Sequence, residues 1–260
     1  MMTAIERLIA TAEAEVGYLE KASNQNLDSD TENAGKANWN KYARDLDALG
    51  DFYNGRKNGY DWCDVFTDWV FVQTFGKDTA LKLLCAPIKS CGAGCKYSAL
   101  YYKGKNQYHK SNPRPGDQIF FGDGKSMWHT GLVVDVKNGR VYTIEGNTSG
   151  ASGVVSNGGG VAKKSYNLNY QYIDGYGRPD YSIIEEDDED MTQEKFNEMM
   201  NNYLAELGKE EPSSWSKEER EWAEEVGLIK GNASGEKLYK AFCTREQMVV
   251  FLKRLSDIVC

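Results

Sequence analysis

The sequence predicts an α+β protein: helices first, then an antiparallel sheet, then a small all-helical C-terminal domain. Apolar residues recur at helical spacing up to Gly76. From Pro115 the period changes to that of strands, with Asn138-Gly139 placed for a hairpin turn. Beyond residue 192, Ser/Thr-x-x-Glu/Gln signatures open two further helices.

A chain of 260 residues suits one domain plus a smaller one, with length enough for a real core. An apolar content of 40% argues for a globular chain rather than a disordered one. No apolar run reaches membrane-spanning length, so no membrane insertion is expected. The net charge of −8 is uneven. Residues 185–211 carry eleven acidic and two basic side chains, residues 1–184 twenty and twenty-one, and residues 212–260 eight of each. The acidity therefore belongs to a linker, and neither flanking part offers a nucleic-acid surface.

Thr3 and Glu6 form a capping box for an amphipathic helix over residues 1–16 that stops at Gly17. This start does not read as a signal peptide, so synthesis in a cytoplasm is expected. Residues 21–40 are polar, with Asp28, Asp30 and Glu32 at alternate positions, a pattern able to offer oxygen ligands to calcium. The glycine and distal glutamate of an EF-hand loop are missing, and a solvated loop explains the same residues. A short helix over about residues 39–49 follows, with Tyr42, Leu46 and Leu49 on its apolar side.

The stretch Gly59-Tyr60-Asp61-Trp62-Cys63-Asp64 opens the next helix, which runs to Gly76. Asp61 is placed as N-cap, with Asp64 three residues on as a weaker capping-box partner. Val65, Phe66, Trp69, Val70 and Phe71 make this helix amphipathic. Cys63 then falls in the first turn, where unpaired N–H groups and the positive end of the helix dipole favour a thiolate. The plain alternative is a buried structural cysteine. A loop-rich stretch follows, with Cys85, Cys91 and Cys95 among Tyr97, Tyr101, Tyr102 and Tyr108. The cysteine spacing is not that of a zinc pair, and no fourth ligand is evident. The six cysteines of the chain read as free thiols. The tyrosines either line a cleft or pack with one wet end.

Residues 118–121, 128–136 and 141–147 read as strands, the last two joined by the turn at 137–140. Two more short strands end near Tyr176. In that hairpin His129 is expected to face about residue 148, with Glu145 and Asn147 beside it on one face. A histidine held by a carboxylate is what a thiol nucleophile needs. The imidazole takes the proton from Cys63, and Glu145 or Asn147 fixes its tautomer. The other histidine, His109, stands in a polar loop without such neighbours.

Together, the Cys63 segment, Pro115-Gly116-Asp117, Trp128-His129-Thr130-Gly131 and Glu145-Gly146-Asn147-Thr148 resemble the CHAP family of papain-like cysteine peptidoglycan hydrolases and amidases. The resemblance spans about residues 3–181, and the order Cys, His, Glu, Asn matches the family motif. It implies papain-like helices packed on the antiparallel sheet. It also implies Cys63 as nucleophile, His129 as general base and later acid, Glu145 as orienter and Asn147 as a supporting polar group. Backbone N–H groups at the start of the nucleophile helix, that of Cys63 included, would meet the oxyanion. Asp61, Trp62 and Trp128 are the expected neighbours of substrate and oxyanion. Some phage members bind calcium ahead of the nucleophile, and the Asp28/Asp30/Glu32 loop fits that role only in part.

Toward the C-terminus, a helix over residues 192–207 carries Phe196, Met199, Met200 and Tyr203 on one side. Ser216-Lys217-Glu218-Glu219 is a capping box for a helix ending at Gly227. Thr244-Arg245-Glu246-Gln247 opens another, with Met248, Val249, Phe251, Leu252 and Leu255 as its buried stripe. Trp222-Ala223, residues 227–231 and residues 244–247 resemble one S-layer-homology-type repeat, a module that attaches proteins to cell-wall polymers. On that resemblance Trp222, Arg245 and Glu246 are wall-binding candidates. One repeat stands where three are usual, so self-association through its apolar faces is expected. The rival reading is a structural appendage or oligomerisation module.

The expected organisation is thus a CHAP-like catalytic domain over 1–181, an acidic linker over 182–191 and a helical, S-layer-homology-like domain over 192–260. The expected function is a phage endolysin-like hydrolase that cuts an amide in the peptide stem or cross-bridge of bacterial walls. It requires no cofactor, is made in a bacterial cytoplasm and acts at the wall after release. Its partners are peptidoglycan, wall polymers and a second copy of itself. The alternatives are a non-catalytic wall-binding protein, an autolysin with N-acetylmuramoyl-L-alanine amidase activity, and an amidase or ligase acting on small peptide conjugates.

Overall fold

The computed structural model describes residues 2–185, 193–232 and 234–259. Contacts divide the chain into two units, Met1–Asp187 and Asp188–Cys260. Most of the expected acidic linker (residues 186–191), together with Thr192 and Cys260, lies outside the described residues. The architecture is α+β: helices and a six-stranded antiparallel sheet, then further helices.

Helix α1 (Ala4–Glu13) has the predicted capping box, with Thr3 accepting from the Glu6 N–H and Glu6 accepting from the Thr3 N–H. It is shorter than expected, because Glu15 and Val16 turn back in three-residue bonds to Ala12 and Glu13 and the chain leaves through Gly17 at φ 106°. Helix α2 (Lys41–Ala48) is capped by the Asn40 side chain, which accepts the Ala43 N–H at 2.8 Å.

Helix α3 (Cys63–Phe75) differs in kind from the amphipathic expectation, since every residue from Cys63 to Phe71 is buried. A helix buried all round is the centre of a core rather than its cover. It packs on α1, on α2 and on the central strands of the sheet. The stretch expected to be loop-rich holds two more helices, α4 (Lys77–Leu83) and α5 (Cys95–Gly104). Gly76, at φ 76°, ends α3 and starts α4 in a single residue, leaving no loop to see. The buried stripe of α5 is Cys95, Ser98, Ala99 and Tyr102. Small and polar residues at helical spacing give little apolar signal, and the tyrosines around them mask it.

The strands are β1 (Tyr108–His109), β2 (Gln118–Gly122), β3 (Met127–Lys137), β4 (Arg140–Thr148), β5 (Gly160–Asn167) and β6 (Ile173–Gly177). Their order in the sheet is β1-β6-β2-β3-β4-β5, so β2 to β5 form the predicted meander and β6 returns to pair with β2. The β3–β4 turn has Asn138 at φ 52° and Gly139 at φ 71°, both left-handed as a type I′ hairpin requires. Asp135 pairs with Tyr142 but Val133 pairs with Thr143, so Val134 is a bulge that advances the register by one residue. The bulge brings Glu145, rather than Gly146, alongside Gly131.

One face of the sheet, with Phe120, Leu132 and Ile144, joins the helical core around α3. The other face carries a second cluster of Ile119, Phe121, Val133, Val141, Tyr166 and Tyr176. Gly146 lies where α3 meets β4, and a Cβ there would sit 2.4 Å from Phe66 Cβ. Gly146→Ala is expected to cost about 1–3 kcal/mol of stability by overpacking, read as a lower urea midpoint at constant m. An unchanged midpoint would mean that the two elements are free to part there.

After the short helix α6 (Ser182–Glu185), the second unit comprises α7 (Gln193–Lys209), a 3-10 turn (Ser214–Ser216), α8 (Lys217–Glu225) and α9 (Arg245–Val259). The Thr244/Gln247 capping box is formed, with bonds of 3.1 and 2.8 Å. The Ser216 box is not: its hydroxyl donates to the Ser213 carbonyl, and the 3-10 turn leaves Ser216 in no position to cap. Nor is the expected stripe on α9 buried. Met248, Val249 and Leu252 are exposed and Phe251 and Leu255 half-buried, as a unit this small has too few layers to cover its apolar residues. Phe196, Met199, Met200 and Tyr203 on α7 are likewise exposed. No helix among the described residues is long and apolar enough to cross a membrane.

Candidate active site

Cys63 is the first residue of α3, and the residue that caps the helix is Trp62 rather than Asp61. Trp62 has φ −129° and makes no side-chain cap bond, while Asp61 is exposed. The chain enters α3 this way because the Trp62 indole is anchored: its N–H donates to Glu20 Oε2 at 2.9 Å and its ring stacks on Tyr42. Asp64, expected to complete a capping box, turns inward. It accepts the Gly94 N–H at 2.7 Å, the Ser98 hydroxyl at 2.8 Å and the Gln118 amide at 3.0 Å. This buried carboxylate therefore ties the start of α3 to the start of α5 and to β2. Burial and the negative charge of Cys63 push it up to about 7.

His129, on β3, is fully buried and stacks on Phe121. Its Nε2 lies 2.9 Å from Glu145 Oε2. Glu145 also accepts the Thr143 hydroxyl at 2.6 Å and the Tyr166 hydroxyl at 3.2 Å, which orient it toward the ring. With Nε2 committed to Glu145, Nδ1 is left without a hydrogen-bond partner and is the nitrogen available to Cys63. The Cys63 sulfur itself rests 3.6 Å from the sulfur of Cys95.

The Cys63 thiol is held well below its ordinary value. A hydrogen bond from Cys95 contributes most, then the neighbouring His129 imidazole and the Asp64 N–H, against the opposing effect of burial. Burial works against a charged His129, yet Cys63 and Glu145 outweigh it and raise the imidazole to about 9. The two opposite shifts favour thiolate and imidazolium at pH values between them.

This pair sets the pH dependence. A lowered thiol value keeps the thiolate as pH falls, and a raised imidazole value keeps the imidazolium as pH rises, so the ion pair occupies the window between. Alkylation of Cys63 by iodoacetamide is expected to proceed well below the ordinary thiol value of 9, and turnover to decline near pH 9 as His129 loses its proton. Alkylation that first rises at the ordinary thiol value would contradict the pair.

The other expected site residues are placed less centrally. Asn147 is buried at φ 52°, but it serves the following loop: its Oδ1 accepts the Gly159 N–H at 3.4 Å and its carbonyl the Gly158 N–H at 2.9 Å. Its Nδ2 has no partner, and no described hydrogen bond joins it to His129 or Glu145. Trp128 is half-buried against the edge of Tyr172. Asp28 is held by both ends of the Arg44 guanidinium, and Glu32 accepts from Asn26. Asp30 offers its main-chain carbonyl to Leu19 and Lys21. Among the described residues no group of three or more His, Cys, Asp or Glu is placed to share a metal ion. In the second unit Trp222 is 48% exposed and Arg245 is exposed. Exposed Glu246 borders a cavity of about 520 Å³ with Ile229, Leu238 and Phe251.

Sequence reading missed Cys95, Asp64 and Gln118 as neighbours of the nucleophile, along with the Thr143 and Tyr166 hydroxyls behind Glu145. Thr143 had a usable signal, as it stands two residues before Glu145 on the same strand face. The others are brought in by packing alone.

A helix-borne thiol, a strand-borne imidazole and a carboxylate behind it form the layout of a cysteine–histidine hydrolase. Residues 55–147, which run from before Cys63 to Asn147, match the family model of the CHAP domain and support a CHAP-family member. No curated protein and no solved structure matches the chain.

Proposed function

We propose that this chain is an endolysin-like peptidoglycan hydrolase that cleaves an amide in the peptide stem or cross-bridge. The observation that carries the reading is the buried Cys63–His129–Glu145 arrangement within the CHAP match. Cys63 Sγ attacks the amide carbonyl carbon, and the negative charge passes to the carbonyl oxygen. N–H groups at the start of α3, that of Cys63 included, are the donors that would receive it. The imidazolium of His129 gives its proton to the leaving amine, and the C–N bond breaks to leave a thioester on Cys63. His129, now neutral, takes a proton from water, whose oxygen attacks the thioester and restores the thiolate. Glu145 holds the ring through both steps. Asn147 supports the site from one remove, through the loop it fixes at Gly158 and Gly159. Trp128 flanks the substrate and Asp61 lies at the rim, whereas Trp62, expected beside the substrate, is fully buried against Glu20 and Tyr42 and acts only by holding the start of α3. This chemistry requires no cofactor; calcium at Asp28, Asp30 and Glu32 would first have to displace Arg44.

The second unit is assigned the role of wall attachment through Trp222, Arg245 and Glu246, and of self-association through the exposed faces of α7 and α9. The site of action in this reading is the wall of a bacterial host, reached after release from the cytoplasm by a separate protein of phage origin.

Mass spectrometry of purified Gram-positive walls digested by the protein tests the reading. New stem-peptide or bridge fragments are expected, and their masses name the bond, including the lactyl–alanine bond of an amidase. Binding to several wall types without release of fragments would replace it by a non-catalytic wall protein.

A further inference from the structure

Two of the three cysteines between residues 85 and 95 are engaged away from the nucleophile. Cys91 donates to the Phe52 carbonyl at 2.9 Å, and Cys85 to the Gln107 amide oxygen. Burial pushes both thiols up, Cys85 to about 11. Cys95 is different. Its sulfur lies 3.6 Å from that of Cys63, both residues are buried, and each is the first residue of its helix.

The contact is built rather than incidental. The residues are far apart in sequence, and Asp64 holds them together by accepting from Gly94 and Ser98, which bracket Cys95. A disulfide needs sulfurs about 2.05 Å apart, so from 3.6 Å this pair must close by roughly 1.5 Å. The reactive thiolate and its neighbouring thiol are therefore already in place for an exchange that no other described cysteine pair is placed to make.

We propose that Cys95 is a resolving cysteine for Cys63, closing it into a reversible Cys63–Cys95 disulfide when the protein meets a hydroperoxide. The Cys63 thiolate attacks the distal peroxide oxygen. The O–O bond breaks, the leaving alkoxide takes a proton to become an alcohol, and Cys63 becomes a sulfenic acid. The Cys95 sulfur then attacks the Cys63 sulfur and loses its proton, and the hydroxyl departs as water. Two thiols are oxidised by two electrons, and one peroxide is reduced to alcohol and water. The disulfide occupies the nucleophile and shields it from irreversible oxidation to sulfinic acid. A small dithiol restores it by exchange.

This goes beyond wall hydrolysis, because the bond forms whatever the substrate. The fully reduced full-length protein is exposed to equimolar hydrogen peroxide, quenched with iodoacetamide and mapped by non-reducing peptide mass spectrometry. The expected product is one cross-linked pair of peptides containing Cys63 and Cys95, lighter by two hydrogen atoms than the separate peptides, with Cys85 and Cys91 alkylated. With excess peroxide, at least the two equivalents per Cys63 that sulfinic acid requires, Cys95→Ser is expected to carry Cys63 to sulfinic acid while the wild type stops at the disulfide. Recovery by dithiothreitol, each protein scaled to its own reduced alkylation rate, is expected to fall at least tenfold below wild type. Cys63 oxidised beyond sulfenic acid while Cys95 is still alkylated in the wild type would overturn the proposal. So would a variant that recovers as fully as wild type. The wild-type map decides the matter even if the variant does not fold, and it is independent of any failure to digest walls.

Discussion

Cys63→Ala is expected to lower wall hydrolysis by about 10⁴-fold or more, to the rate seen without protein, while wall binding and thermal unfolding stay near wild type. The substitution removes one buried sulfur and adds no bulk, and His129 keeps its bond to Glu145. His129→Ala is expected to cost at least about 10³-fold. It does so by two routes, since it removes the leaving-group acid and also the charge that helps keep Cys63 ionised. Residues that act as one unit are not additive, so Cys63→Ala/His129→Ala is expected to be no slower than Cys63→Ala alone. Release of labelled fragments from walls measures all three. Substantial hydrolysis by Cys63→Ala would assign the chemistry elsewhere. A double variant well below the single one would mean that His129 works apart from the thiol.

Gly131→Ala is expected to disable the same site without touching a reacting group. A Cβ on Gly131 would lie 2.4 Å from Glu145 Cγ and 3.0 Å from the Ile144 carbonyl oxygen. The backbone oxygen is held in the β3–β4 ladder, so the Glu145 side chain is what must move. Moving it breaks the 2.9 Å bond to His129 Nε2 and leaves a buried carboxylate short of a partner. The expected result is a fall in kcat of about 10²–10⁴-fold, the range that loss of an oriented base commands, with KM little changed. The alkaline limit is expected to move to lower pH, as Glu145 no longer supports the charged ring. A variant that loses stability but keeps wild-type kcat and pH profile would show that Glu145 has room to reach His129 another way.

The legible part of this protein was local or periodic. The capping boxes at Thr3 and Thr244 formed as written, since three-residue spacing and a hydroxyl are nearly all that such a bond needs. The Asn138-Gly139 turn formed for a similar reason, and with it the hairpin carrying His129 and Glu145. The Asp61/Asp64 cap failed where the Ser216 box also failed, at a residue with a competing tertiary or local partner. Helices α4 and α5 escaped notice because a one-residue Gly76 junction and a stripe of small residues carry no strong period.

By itself the sequence determined an α+β class, a thiol at a helix start and a histidine and carboxylate on paired strands. These follow from chemistry written within a few residues or across one hairpin turn. The tertiary structure alone decided the bulge at Val134 that sets Glu145 beside Gly131, and the inward turn of Asp64. It also decided that Cys95 lies against Cys63, a contact between helix starts. Such contacts depend on how buried helices and sheet pack, and packing sums many weak, distant terms that no short motif records.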